Sequence, residues 1–375
     1  MTPARPRIGI IGAGIFGTTC ALRLAPRHHV TIFESQDDIL GGASWGNQNR
    51  HHLGYHYSRS PETVVQCLKS QPSFQALYGD ALVHEIAAYY CVAREGSRTA
   101  PDEYLAFCER HGLPYRFEYP AEDYLCRDKV ALSLRVPEPV IDYWSLKRLV
   151  EASLAAEPHI DLKLGHEVVG GRVTANGQKR LEVRHAGKSS SADFDVLINA
   201  SFYDIATVSA WFGFKRRNFQ YDVKELAVIE FPMDVRLALT VMDGPFCTIV
   251  PMGRTDKFLL GHVAESLLAR DVSTETPDRG LPVSRWPHIR DACAEYFPFV
   301  SRAQFIGSMF TRIIVDPDRA YDDARVSEIT QHGGGCWTVF SAKIVSCVSV
   351  ADELGRDIDA YLNGSNAMAP AEGIR

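Results

Sequence analysis

Gly12, Gly14 and Gly17, with Glu34 placed 22 residues past the first of them, are the residues whose spacing most directly implies chemistry. Glycines at this spacing expose backbone N–H groups to a pyrophosphate. Gly12 permits a tight strand-to-helix turn, Gly14 lets phosphate oxygens approach the main chain, and Gly17 lets helix and strand pack closely. A helix opening with Ile15 and Phe16 aims unpaired donors and its positive dipole end at the phosphates. The carboxylate of Glu34, followed by Ser35, is placed to accept hydrogen bonds from both hydroxyls of an adenosine ribose. Farther on, His52 and His56 are candidate general bases, because only imidazole titrates near neutral pH without perturbation. His51, beside them, is expected to face away, since neighbours in an extended segment point to opposite sides.

These residues need a frame. Apolar Ile8, Ile10 and Ile11 predict a strand, Ala21, Leu22 and Leu24 mark the buried side of the following helix, and Val30 to Phe33 form a second strand ending on Glu34. A polar, glycine-rich segment follows over 41–52. Helices are predicted over 62–78, 102–111 (closed by Gly112) and 144–156, with 115–140 irregular between them. A strand over 160–164 precedes a hairpin over 168–185 turned at Asn176-Gly177, and 195–200 is apolar enough for a strand buried on both faces. Alternation over 224–231, 238–242, 247–251 and 258–262 predicts an antiparallel sheet. An exposed connection over 266–287, a helix over 286–297 and one or two strands over 304–315 come next. Gly333-Gly334-Gly335 leads into a strand over 337–340 and a last helix over 341–362.

The fold class is therefore α/β: a discontinuous Rossmann-type dinucleotide domain (1–85, 141–205 and 305–365) with an inserted antiparallel-sheet α+β substrate domain (86–140 and 206–304) and a frayed tail over 366–375. With 375 residues, 46% hydrophobic and 23% charged, the chain has the composition of a soluble globular protein. Its net charge of −6 argues against a nucleic-acid partner, and Lys215-Arg216-Arg217 reads as a solvated loop. No apolar run is long enough for a membrane span, and the few residues before the first strand leave no room for a signal peptide. Nine singly spaced cysteines, an odd number without a CxxC pair, suggest reduced thiols in a cytoplasmic protein rather than a zinc or disulfide frame.

With these residues in view, the chain resembles the flavoprotein superfamily of D-amino acid oxidase, glycine and sarcosine oxidases, glycerol-3-phosphate dehydrogenase and L-2-hydroxyglutarate dehydrogenase. Gly12, Gly14, Gly17, Ala21, Leu24, Val30, Phe33 and Glu34 match its FAD fingerprint, while His28 stands near a position where glycine is common. Gly42, Ala43 and Ser44 lead into a segment resembling the one that crosses under the flavin, with Ser44, Asn47, His52, Gly54 and Tyr57 in register. Glu167-Val168 resembles the place where backbone groups read the adenine. Ile198-Asn199-Ala200 resembles the second FAD strand, with Ser201-Phe202 where a glycine is usual. Gly333-Gly334-Gly335, then Phe340-Ser341-Ala342-Lys343, resembles the C-terminal flavin loop, so Gly335, Ser341 and Lys343 are implied cofactor contacts.

The resemblance implies FAD as cofactor and a small-molecule substrate oxidised at a CH–NH or CH–OH bond by hydride transfer to flavin N5. Negative charge then develops across flavin N1 and the C2 carbonyl, and the last helix, starting at Ser341 with Lys343 in its first turn, is expected to face it. Arg312 occupies the place from which family members hold a substrate carboxylate, with Arg325 and Arg50 as competitors. Tyr221 and His262 are expected to line the pocket, and His52 and His56 to act as base or flavin-orienting groups. The alternatives are a flavin monooxygenase and a non-catalytic FAD-binding subunit. Against the former, aromatic hydroxylases carry a late Gly-Asp, whereas the pair here is Gly79-Asp80. The electron acceptor, oxygen or another carrier, stays open.

Overall fold

A computed structural model of the protein describes residues 5–364 except 233–235, 279, 281 and 320; the expected frayed tail over 366–375 lies outside the described residues. Two sheets organise the rest. In the first, the strand Arg7–Ile11 is central, with His29–Phe33 and then Ile160–Lys163 on one side and Val196–Asn199 and then Cys336–Phe340 on the other, all parallel. Glu328–Gly333 closes one edge antiparallel.

Parallel strands need cover on both faces, which explains why Ile8, Ile10, Val196 and Ile198 are fully buried. One face packs on the helices Ile15–Leu24, Pro61–Tyr78, Tyr143–Ala156 and Cys347–Leu362. The other packs through Ile11, Phe33 and Leu197 on Leu181, Val183 and Phe194 of a three-stranded antiparallel sheet and on the helix Ile205–Trp211. The turn at Asn176-Gly177 falls where expected, with Gly177 at φ +80°. Lys188–Phe194 is a third strand that sequence reading missed.

The second sheet has nine strands, built around Phe219–Glu230. One edge of that strand pairs with Leu267–Ser273 and Lys257–His262, the other with Gln304–Val315 along its whole length. Three expectations are corrected here. Residues 115–140 contain the strands Arg116–Phe117 and Val130–Val136, because Leu132, Leu134 and Val136 bury one side of a strand that pairs with Ala87–Ala93. Residues 266–287 are not all connection, since Leu267–Ser273 is a paired strand. Gln304–Val315 belongs to this sheet, so the return to the dinucleotide part comes after Val315 rather than at 305. The sheet is also mixed: Leu237–Met242 runs parallel to Ala87–Ala93.

Asp142 ties the two parts together. Its Oδ1 accepts from Ser145 N at 2.7 Å, capping the helix Tyr143–Ala156, and its Oδ2 accepts from Arg254 N at 2.8 Å. All nine cysteines are free. Among the described residues no helix is long and apolar enough to cross a membrane, and no His, Cys, Asp and Glu cluster has a metal-binding arrangement.

Candidate active site

The parallel strands end on one side of the first sheet, where Gly12, Glu34, Ala200 and Ser341 collect; ligands of open α/β sheets bind at that end. Gly12 takes φ +101°, and a Cβ on Gly17 would lie 2.0 Å from Gly12 O, so strand and helix approach as only glycine allows. Around Gly14 an added Cβ would meet only Ser44 Oγ, at 3.4 Å, and around Gly42 nothing within 4 Å. Gly14 has no side chain with which to cap the helix, and the first helical donor, Ile15 N, is taken by Ser44 Oγ at 3.0 Å. Glu34 Oε2 accepts from Ala13 N at 2.8 Å, while Oε1 accepts from Gln36 N at 2.9 Å and Ser35 Oγ at 3.2 Å. Its carboxylate thus borders the glycine turn, with a lone pair left on Oε2. Beyond Ala200, Phe202 holds φ +51° where the resembling family has a glycine, a conformation costing about 1–3 kcal/mol.

The segment after Gly42 is shaped by Asn47, whose Nδ2 donates to Ala43 O (3.2 Å) and Ser44 O (2.7 Å) and whose Oδ1 accepts from Asn49 N (2.6 Å). It delivers Arg50 into a buried network. Arg50 Nε donates to Glu138 Oε1 at 3.3 Å, its Nη2 donates to the Tyr90 hydroxyl, and Tyr90 donates to Glu138 Oε1 at 2.8 Å. Glu138 Oε2 accepts from Leu53 N at 3.1 Å. Glu138 therefore balances Arg50 and fixes the chain beside it. His52 and His56 follow, their ring centroids 6.3 Å apart. Burial, then Lys343 and Arg50, hold His52 far below its usual pKa; burial and Arg50 do the same to His56. Both rings are neutral at pH 7, and the Nδ1 of each is buried with no hydrogen-bond partner, as is Asn49 Nδ2.

Lys343 closes this cluster from the end of Cys336–Phe340. Its ammonium lies 4.9 Å from the Tyr57 ring centroid, and burial followed by Arg325 brings its pKa down to about 7. Arg325 pairs with Asp323 at 2.6 Å. Burial would raise the Asp323 carboxyl, but Arg325, His56, Lys343 and Lys224 together hold it low. The orphaned buried atoms and the glycine cradle fit an FAD: the cradle would take phosphates, and Asn49, His52 and His56 would offer polar atoms to a flavin edge.

Several expected site residues lie elsewhere. Gly335 begins the strand Cys336–Phe340, its carbonyl accepting from Leu197 N at 2.9 Å, so the triple glycine turns the hairpin at the end of the sheet opposite Gly12. The last helix is Cys347–Leu362, preceded by a short turn over Ile344–Ser346, and Lys343 precedes both in extended conformation. Ala342 N donates to Ser327 Oγ (2.9 Å) and so is taken out of helical bonding. Arg312 stands 5.8 Å over the Tyr203 ring and beside Asp204, whose electrostatic neighbours include Glu34 and Glu167; this is the nucleotide side, away from His56 and Lys343. Tyr221 packs edge-on to Tyr203 at 5.1 Å and is buried. His262 Nδ1 accepts from Glu265 N at 3.1 Å in a turn beside Glu295 and does not reach the cluster. Val168 lies on the strand Glu167–Val173, opposite Val183. His51 is buried against Phe74, its ring centroid 5.0 Å away.

Tyr90, Glu138, Asp323 and Lys224 were not foreseen. Only Glu138 had a signal in the sequence, an acid set between Pro137 and Pro139 in an apolar stretch.

Comparison with known proteins agrees with this geometry. A FAD-dependent monooxygenase, FPY4 of Fusarium mangiferae, is 27% identical over 357 residues, covering 90% of this chain and 87% of that protein. The crystal structure of glycine oxidase from Geobacillus kaustophilus superposes with a TM-score of 0.73 at 18% identity, covering 99% of this chain and 100% of that one. L-proline dehydrogenase from P. horikoshii gives 0.73 at 12% identity, with 99% and 96% covered. The profile of the FAD dependent oxidoreductase family (DAO) matches residues 7–319. With a glycine turn, an acid at the second strand end and a buried polar segment leading to Lys343, the chain belongs to this family of flavoprotein oxidoreductases and uses FAD.

Proposed function

We propose that this enzyme oxidises a CH–NH or CH–OH bond of a small substrate bearing a carboxylate. The observation that carries this reading is the convergence of Lys343 and Arg50 on two neutral imidazoles, His52 and His56, with Arg325 beside Lys343. Gly12, Gly14, Ile15, Phe16, Gly17, Glu34, Ser44 and the end of Cys336–Phe340 would hold FAD, which when bound would supply a two-electron acceptor at N5. Lys343 and Arg325 give a carboxylate a cationic anchor in a partly dehydrated site, where charge-assisted bonds are strongest. Burial, with Lys343 and an Arg50 locked by Glu138 and Tyr90, keeps the neighbouring imidazoles neutral. A neutral His52 or His56 can accept a hydrogen bond from a substrate hydroxyl or ammonium at its unpartnered Nδ1 and so orient the reacting carbon. Lys343 and Arg325 also place positive charge where electron density grows as the substrate is oxidised.

Anaerobic titration of the holoenzyme with panels of amino acids and hydroxy acids tests this, the expected result being loss of the flavin's visible absorption with at least one of them. Arg325→Ala should then weaken apparent substrate affinity by about 2–5 kcal/mol, whereas Arg312→Ala should leave it near wild type. Equal losses in both variants would move the anchor to the nucleotide side. A second reading, monooxygenation, is favoured by the 27% identity to the FAD-dependent monooxygenase FPY4. Flavin reduction only by a nicotinamide donor, with an oxygen atom from O2 recovered in the product, would select it.

A further inference from the structure

Strand alternation sends Gln220, Asp222 and Lys224 to the face of Phe219–Glu230 opposite Tyr221. On that face Gln220 Nε2 donates to both Asp222 oxygens at 3.3 Å, and Arg270, from the paired strand Leu267–Ser273, clasps Asp222 at 2.7 and 2.8 Å. Lys224 Nζ stands 3.7 Å from Asp222 Oδ2, outside hydrogen-bond reach of a carboxylate already engaged by Arg270. Lys224 is set deep in the protein, yet 29% of its side chain is accessible, so it opens onto a recess. Across that recess are Arg325 and Asp323, paired with each other, and past them Lys343, which has no carboxylate within ion-pair distance among the described residues. Four cations, Arg270, Lys224, Arg325 and Lys343, therefore face two carboxylates, Asp222 and Asp323. Arg50 is already balanced by Glu138. Arg270, 47% of its side chain exposed, answers Asp222 and Arg325 answers Asp323, so Lys224 and Lys343 have no carboxylate of their own, and amines set this deep call for anionic partners.

We propose that this recess binds a substrate with two anionic groups, one carboxylate at Lys343 and Arg325 and a second at Lys224. Asp222 and Arg270 act as positioning residues that hold Lys224 toward the recess. The inference rests on the carboxylate reading above and adds a subsite to it. A monoanion fills only the Lys343 end and leaves Lys224 with no carboxylate but Asp222, which Arg270 already engages. A short dicarboxylate neutralises both ends at once, so the second carboxylate should add a charge-assisted contact without changing the first.

The test uses the FAD-loaded enzyme and follows the flavin absorbance change on adding acetate, malonate, succinate or glutarate. At least one dicarboxylate should bind about tenfold or more tightly than acetate. Lys224→Met should abolish that preference while leaving acetate affinity, FAD absorption and thermal stability near wild type, and Lys224→Arg should retain much of it. Equal loss of acetate and dicarboxylate binding in Lys224→Met would overturn the subsite, as would loss of FAD in both Lys224 variants. If Lys224→Met does not fold, Lys224→Arg and the wild-type comparison still decide. Acetate binding with no dicarboxylate preference overturns the subsite and leaves the carboxylate reading standing. No binding by any of the four overturns both.

Discussion

Glu34 and Lys343 show how single side chains set this site. Glu34 already accepts from Ala13 N, Gln36 N and Ser35 Oγ, so its carboxylate is held still at the edge of the glycine turn. Hydrogen bonds to a charged group are worth about 1.5–3 kcal/mol. Glu34→Ala should therefore weaken FAD binding by about tenfold or more, read as the dissociation constant of the reconstituted apoprotein. An unchanged constant would remove Glu34 from the cofactor site. Lys343 offers a pH test. An amine brought down to about 7 is charged below that pH and neutral above it, so carboxylate affinity should rise as pH falls through about 7. Acetate titrations across the neutral range measure this, and Lys343→Met should flatten the profile. A step that survives in Lys343→Met belongs to another group.

At the scale of elements, the junction of strand, turn and helix at Gly12 to Gly17 is decided by backbone contact. A methyl group on Gly17 cannot coexist with Gly12 O at 2.0 Å, and the helix would have to move away from both the strand and Ala200. Gly17→Ala is expected to yield a colourless protein that takes up added FAD weakly, with its helix content in circular dichroism close to wild type. Wild-type FAD affinity in that variant would refute the close-packing role. The strand Phe219–Glu230 shows the other side of element-scale control. Its period of two sends Tyr221 toward Tyr203 and Phe219, and Lys224 toward Arg325. Shifting it by one residue would put Val223 or Glu225 where Lys224 now faces Arg325.

At the scale of the whole molecule, the site draws on segments far apart in the chain. The glycine turn, Glu34, the segment 42–57, Glu138, Lys224, Arg325 and Lys343 come together where Arg50 of 42–57 reaches Glu138 and where the connection after Val315 brings Arg325 to Lys343. The second connection is pinned to the helix Pro61–Tyr78: Arg319 pairs with Glu62 at 2.9 Å, Arg325 N donates to Thr63 Oγ1 at 2.9 Å, and Ser327 N donates to Gln66 Oε1 at 2.8 Å. A ligand bridging such separated segments binds the folded state alone. FAD at a hundred times its dissociation constant should stabilise the apoprotein by about 2.7 kcal/mol, seen as a melting temperature raised by a few degrees. Melting of the apoprotein that is insensitive to FAD would contradict a cofactor bound by the native fold.

Local signals in the sequence determined the dinucleotide unit. Strand, glycines, helix, strand and acid lie within Ile8 to Glu34, so periodicity and turn chemistry expose them without knowledge of the rest of the chain. The same locality made the helices over 62–78 and 144–156 and the hairpin at Gly177 legible. Tertiary structure decided the rest. Whether 130–136 is a strand depends on Ala87–Ala93 lying beside it, and which end of Cys336–Phe340 meets the cofactor depends on its parallel pairing with Val196–Asn199. The Gly333-Gly334-Gly335 motif therefore turned out to be a hairpin at the far end, while Ser341 to Lys343 reached the site. Arg312 and Arg325 are the same residue type 13 positions apart, yet one faces Asp204 and the other Lys343. A charge's role depends on neighbours that sheet topology brings from distant parts of the chain, and spacing along the chain carries no record of those neighbours.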